Sequence, residues 1–273
     1  MSVTITASDV NKLRTMTGAG MMDCKKALTE TSGDFEAAID LLRKKGQKVA
    51  ANRSDRDAKE GKVIAKTNGS RGILVVINCE TDFVAINEDF GKTADDMATL
   101  ALEKAPADLE TLLTLPFAGM TVGEKIIEMV GRIGEKIELK KYEQVSAKSV
   151  VAYNHPGNKL ACIVGFNKEV SEEIGKNVAM QVAAMAPVAV DKDDVDTTLL
   201  ERELEIAREQ IRAEGKPEEM VEKIAQGKIN KFYKESTLLN QEFIKDNKKT
   251  IRQYLQDSDK ELTVTGFQRI ILG

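Results

Sequence analysis

Apolar positions follow three rhythms along the chain, and each rhythm marks a different stretch. Up to about residue 50 the spacing is helical. Val10, Leu13 and Met16 make one apolar face, Met21, Met22 and Leu28 a second, and Phe35, Ala38, Ile39 and Leu42 a third. The pattern predicts three short helices, with Asp34 placed to cap the third and Gly46 standing at its expected end. The polar, basic-leaning run KKGQKVAANRSDRDAKEG at 44–61 then reads as a solvated connector, with the linker proper at 51–61.

At residue 62 the rhythm changes. KVIAKTNGSRGILVVIN (62–78) places two apolar runs around an Asn-Gly and Arg-Gly turn, a β-hairpin signal. SVVAYNHPGNKLACIVGFN (149–167) repeats it around Pro156-Gly157-Asn158. Each hairpin leads into an amphipathic helix. Phe90, Ala94, Met97 and Ala101 share a face in the first. In the second, Ile174, Val178, Val182 and Met185 do, between a Ser171 cap and Pro187. Thr121 and Glu124 then make a capping box before a short helix and a strand carrying Ile137 and Leu139. The second unit closes with strand-like TVTGFQRIIL (263–272). These elements predict an α+β protein: a three-helix domain at 1–50, then two tandem related α+β subdomains at 62–148 and 149–273, from an internal duplication.

The third rhythm interrupts the second subdomain. Leu200, Leu204, Ala207 and Ile211 step by four, three and four, and after Gly215-Lys216-Pro217 come Val221, Ala225, Ile229 and Phe232. Two core helices would fit this spacing. The narrow seam and densely charged flanks favour a projecting antiparallel coiled-coil hairpin at about 194–235.

Composition narrows the class. Among 273 residues there are 40 basic and 44 acidic side chains, a balance that argues against bulk nucleic-acid or membrane-surface binding. With 4% aromatics and no Trp, the core must be largely aliphatic and methionine. Cys24, Cys79 and Cys162 are far apart and the chain has one His, so neither a disulfide framework nor a zinc site is expected. The opening MSVTITASDV predicts no secretory signal, and no window approaches the ~20 apolar residues of a membrane span. A cytoplasmic protein is expected.

Few stretches suggest chemistry. His155 has no Cys or His constellation around it, and neither G-x-S-x-G nor H-E-x-x-H occurs. TGAG at 17–20 lacks the following Gly-Lys-Ser/Thr and lies between helices, so it predicts a turn and not a phosphate loop. Binding has better material. Met21-Met22 puts two adaptable thioethers at a loop–helix junction, suited either to a partner's apolar surface or to the bundle core. Asp82-Phe83, just past the strand ILVVI, is open in the same way: a ring packed inward at a strand end, or one offered outward.

LRTMTGAGMMDCKKAL (13–28) and VINCETDFVA (76–85) resemble the two signature stretches of the bacterial elongation factor Ts family. RIGEKI (132–137), GKPEEMVEKIAQGKINKF (215–232) and VTGF (264–267) extend the likeness over essentially the whole chain. The resemblance implies a guanine-nucleotide exchange factor for elongation factor Tu, without covalent chemistry, cofactor, metal or bound nucleotide of its own, and without direct nucleic-acid or membrane partners. It implies that the three-helix domain is ubiquitin-associated-like. By motif, Thr81, Asp82, Phe83 and Val84 resemble the segment that enters the partner near its magnesium site. Ile133, Gly134 and His155 resemble residues around that contact, and Arg14, Met21 and Met22 resemble those holding the partner's nucleotide domain from a second side. Mg²⁺ bridges phosphate oxygens to protein ligands in GTPases, so an inserted aromatic that shifts those ligands would lower affinity for GDP. Two departures stand out. The chain ends soon after GFQRIILG, so the C-terminal helical module of some relatives is expected to be missing. Ile86-Asn87 replace the commoner Lys-Asp at the edge of the contact.

Overall fold

A computed structural model describes residues 4–273 of this α+β chain. Its first helices are α1 (Ala7–Thr17), α2 (Met21–Glu30) and α3 (Phe35–Arg53). At the start of α1, Thr6 accepts from the Asp9 N–H while the Asp9 carboxylate accepts from the Thr6 N–H, which satisfies orphan donors at both positions. Val10, Leu13, Cys24, Ala27, Leu28 and Ala38 form the bundle core, and Phe35, Ile39 and Leu42 pack against it. Three apolar positions that matched the helical spacing are not in that core. Met16, Met21 and Met22 are 56%, 53% and 73% exposed.

The strands β1 (Glu60–Thr67) and β2 (Arg71–Cys79) form the expected hairpin. After it come α4 (Asp82–Ala85), α5 (Glu88–Lys104) and α6 (Leu109–Thr114). A two-strand turn of β3 (Pro116–Phe117) and β4 (Met120–Thr121) precedes α7 (Val122–Ile133), and β5 (Ile137–Ser146) completes a sheet of order β1-β2-β5. Phe90, Ala94, Met97 and Ala101 of α5 are all buried, as their spacing requires. The capping box of α7 is present, with Thr121 Oγ1 accepting from the Glu124 N–H at 3.1 Å and the Thr121 N–H donating to Glu124 at 2.7 Å.

Gly46 is not a helix end. It is buried within α3, which continues to Arg53 before β1 begins at Glu60. The residues after it, Gln47, Lys48, Val49, Ala50 and Ala51, are mostly good helix formers. The physical reason for the glycine is α7. A Cβ built on Gly131 would lie 2.6 Å from Gly46 Cα, so the two helices cross backbone to backbone. Each mid-helix glycine costs about 1 kcal/mol against alanine, which the close packing offsets.

The order of elements then recurs. β6 (Ser149–Asn154) and β7 (Leu160–Phe166) form the second hairpin and lead to α8 (Glu172–Met185), with Ser171 accepting from the Ile174 N–H. Met185, the last residue of α8, is 45% exposed although its spacing matched the buried face. The helical hairpin follows as α9 (Thr197–Ala213) and α10 (Glu218–Ser236). Ala207, Ile211, Val221 and Ala225 are its own small core, and Phe232 is only half-buried. Then β8 (Glu242–Phe243), β9 (Asp246–Thr250) and α11 (Ile251–Ser258) precede β10 (Val264–Ile271). The second sheet has the order β10-β7-β6, both pairings antiparallel, with Cys162 opposite Tyr153 on one side and Arg269 on the other. Phe166, Val178, Val182, Leu239, Phe243 and Leu255 lie in its core.

Two compact units result. One holds the residues up to Val63, Val75–Tyr142 and the last two residues; the other holds Ile64–Leu74 and Glu143–Ile271. Within the second, the Asn154 amide pairs with both the N–H and C=O of Ala65, at 2.7 and 2.9 Å, as a strand neighbour would.

Candidate partner-binding site

The stretch after β2 is short and strongly fastened. Thr81 caps α4, its Oγ1 accepting from the Val84 N–H at 3.4 Å. The Thr81 N–H and hydroxyl donate to the two oxygens of Glu135, at 3.0 and 2.8 Å. One residue earlier, Glu80 accepts from Arg53 Nη1 at 2.9 and 3.1 Å and from the Lys136 N–H at 2.6 Å. Burial alone would raise the Glu80 carboxyl. The Lys136 N–H and the Arg53 and Arg56 guanidinium groups outweigh it and hold it below its usual value. Charge-assisted bonds of this kind are about twice as strong as neutral ones.

On this base α4 turns one side inward and the other out. Ala85 is buried, Val84 is half-buried, and Asp82 is exposed. Phe83 and Ile86 are 78% and 75% exposed. The inward reading of the Phe83 ring is therefore excluded. Behind the loop, burial together with Glu135 and Glu60 pushes the Cys79 thiol up to about 12, and its Sγ donates to the Thr81 carbonyl at 3.1 Å. A thiol so held is inert.

Ile133 and Gly134 end α7 just before Glu135, half-buried, with Gly134 in the left-handed region at φ +82°. Their neighbourhood with Thr81 follows from the Glu135 bonds. His155 lies in the other compact unit, exposed on the turn after β6, with Nδ1 3.0 Å from Tyr153 Oη.

The second patch lies in the bundle. Gly18, at φ +67°, ends α1, and Gly20 precedes α2. Thr17 Oγ1 accepts from the Ala19 N–H at 3.3 Å and donates to the Leu13 carbonyl at 2.8 Å, which fastens the turn from behind. Arg14, Met16, Met21 and Met22 are left facing solvent. No group of His, Cys, Asp and Glu side chains able to hold a metal ion occurs among the described residues. No helix among them is long and apolar enough to cross a membrane.

The fasteners Arg53, Glu80, Glu135 and Lys136 were not singled out from sequence. A signal existed for three of them, since Glu80 lies inside VINCETDFVA and Glu135-Lys136 inside RIGEKI. Arg53 had none, because it falls in the stretch read as a connector.

The α+β frame thus holds large apolar side chains in water on stiffened turns, the kind of feature found at protein-binding surfaces. A family model described as Elongation factor TS matches residues 80–273. Three relatives named Elongation factor Ts align over nearly their whole length. That of Amoebophilus asiaticus is 53% identical over 98% of this chain and 99% of its own. That of Flavobacterium psychrophilum is 51% identical and that of Cytophaga hutchinsonii 55%, each over 99% of both chains. The chain belongs to the elongation factor Ts family, and its role is in translation elongation.

Proposed function

We propose that this protein is a cytoplasmic guanine-nucleotide exchange factor that releases GDP from elongation factor Tu. The observation that carries the reading is Phe83, an aromatic ring 78% exposed on a turn held by two carboxylates. A ring already in water loses no packing when it leaves the free protein, and a stiffened turn loses little entropy on docking. Phe83 is the anchor and Asp82 the polar contact beside it. Thr81 and Val84 shape their base, and Ile133, Gly134 and His155 complete the contact near the magnesium site. Arg14, Met21 and Met22 hold the partner's nucleotide domain from a second side.

Exchange needs no covalent step and no nucleotide of the factor's own. If the factor weakens GDP binding by some ratio, GDP weakens factor binding by the same ratio, so fresh nucleotide releases the factor. The domain plan that goes with this is a three-helix module, two subdomains from an old duplication, and a coiled-coil hairpin in the second. Labelled GDP preloaded on elongation factor Tu tests the reading. Release should accelerate with this protein and remain unchanged for an unrelated GTPase. Binding without acceleration would leave only a scaffold.

A further inference from the structure

One helix runs past both exposed patches of the first unit. α3 starts in the bundle, where Phe35, Ile39 and Leu42 pack on the core that carries α2 and its Met21-Met22. Further along, Lys45 pairs with Asp23 of α2, and the adjacent Gly46 lies against Gly131 of α7. At its last residue, Arg53 grips both oxygens of Glu80, two residues before Asp82.

The crossing with α7 leaves no slack. A Cβ on Gly131 would stand 2.6 Å from Gly46 Cα, and one on Gly46 would stand 3.2 Å from the Ile127 carbonyl oxygen. Glycine is a poor helix former, so two of them facing each other inside helices are accounted for by the approach they permit. Neither backbone can be pushed aside as the end of a flexible side chain could be.

We propose that α3 is a rigid strut that fixes the spacing between the Met21-Met22 patch and the Phe83 turn, with Gly46, Gly131 and Arg53 as positioning residues for exchange. The proposal rests on the exchange reading above. Two patches joined by a flexible connector reach a partner independently, and the second docks at an effective concentration set by chain statistics. Two patches held at the bound spacing avoid that search, and neither needs ordering when it docks. The crossing therefore sets how little factor is needed. The Arg53–Glu80 grip sets how well Phe83 is aimed once bound.

The experiment measures GDP release from elongation factor Tu against factor concentration for Gly131→Ala, Gly131→Val and Arg53→Gln. The glycine variants should raise the half-saturating concentration, about tenfold for valine, and keep the maximal rate within about twofold. Met22→Ala should weaken the parent protein and add nothing on Gly131→Val, because the bundle patch is by then out of place. Arg53→Gln should lower the maximal rate, and Arg53→Lys should restore part of it. Simple destabilisation would instead give additive losses. A second readout needs no partner. Spin labels on Lys26→Cys and Glu103→Cys, the three native cysteines being buried, should report one narrow distance that widens in Gly131→Val. A broad distribution in the parent protein overturns the strut, as does a Gly131→Val variant with parental half-saturation. A narrow distance in a protein that releases no GDP would remove the exchange reading and with it the positioning roles, while the stiffness of α3 would stand.

Discussion

Two connections in this molecule join a hairpin to a helix, one after β2 and one after β7, and they end differently. β2 stops at Cys79 and α5 is capped by Asn87, so residues 80–87, eight of them, make the join. β7 stops at Phe166 and α8 is capped by Ser171, so residues 167–171, five of them, do the same work. The three additional residues are enough for the single turn of α4. The longer join is fastened by carboxylates that are themselves largely covered, Glu80 being 13% exposed, and offers Phe83 to solvent. The shorter one is fastened on the outside. Asn167 donates to the Glu261 carbonyl and accepts from the Thr263 N–H, and Lys168 pairs with Asp259 and Glu261. Phe166, the last residue of β7 just before it, is fully buried in the sheet core. The same residue type thus packs into the sheet core at the end of one hairpin and stands in water after the other.

That contrast can be broken by mutation. The largest effect should come from Phe166→Ala, which removes a buried ring and leaves a cavity, at a cost of about 3–5 kcal/mol of folding stability. Thermal unfolding measures it. Phe83→Ala should leave the unfolding midpoint of the free protein unchanged and weaken binding to nucleotide-free elongation factor Tu by about 2 kcal/mol or more. A strongly destabilised Phe83→Ala protein that still exchanged normally would end the reading of Phe83 as an anchor and erase the difference between the joins.

Smaller effects sharpen the comparison. Glu135→Ala strands two donors of Thr81 and should cost about 1–3 kcal/mol, felt as faster amide exchange at Thr81 and Val84 and slower GDP release. Titration separates the two fastenings further. The Glu80 carboxyl is held below its ordinary 4.5, so its contribution is complete above that value and disappears as pH falls through the lowered one. Carbon NMR of the carboxyl groups should place the Glu80 midpoint below 4.5 and show it move back up in Arg53→Gln. The Lys168 ammonium is held above its ordinary 10.5 by Glu261 and Asp259, so its contribution is complete below that value and is lost as pH rises through the raised one. Alkali should therefore loosen the second join. The smallest effect should be that of Lys168→Ala at neutral pH. Its ion pairs are solvent-facing, and the unfolding midpoint should scarcely move. A clear drop would mean that the exposed fastening matters as much as the covered one.

Much of this was legible in the sequence, for reasons that are local. The two hairpins, the capped helices α5, α7 and α8 and the pair α9–α10 are visible because a strand repeats every two residues and a helix every 3.6, and side chains must follow. The small elements α6, β3–β4, β8–β9 and α11 were not, since strands of two to five residues and helices of six to eight, about two turns, hold too few repeats of their own period to show it. The family likeness lay in continuous stretches of side chains, and so did the candidate residues Asp82, Phe83, Met21 and Met22.

Which of those residues face water was decided only in three dimensions. Met16, Met21 and Met22 have the spacing of core positions, yet the bundle closes on Leu13, Cys24, Ala27 and Leu28 and leaves them outside. Burial depends on what other elements occupy a face, and that information is not carried by the helix itself. Gly46 shows the same limit from the opposite side. In sequence a glycine after an apolar run marks a helix end, since it is a poor helix former. In the fold, Gly131, 85 residues further along the chain, offers it a backbone to lie against, and the helix continues to bring Arg53 to Glu80. Periodicity fixes the elements because it acts between neighbours, while exposure and close approach come from segments that meet only after folding.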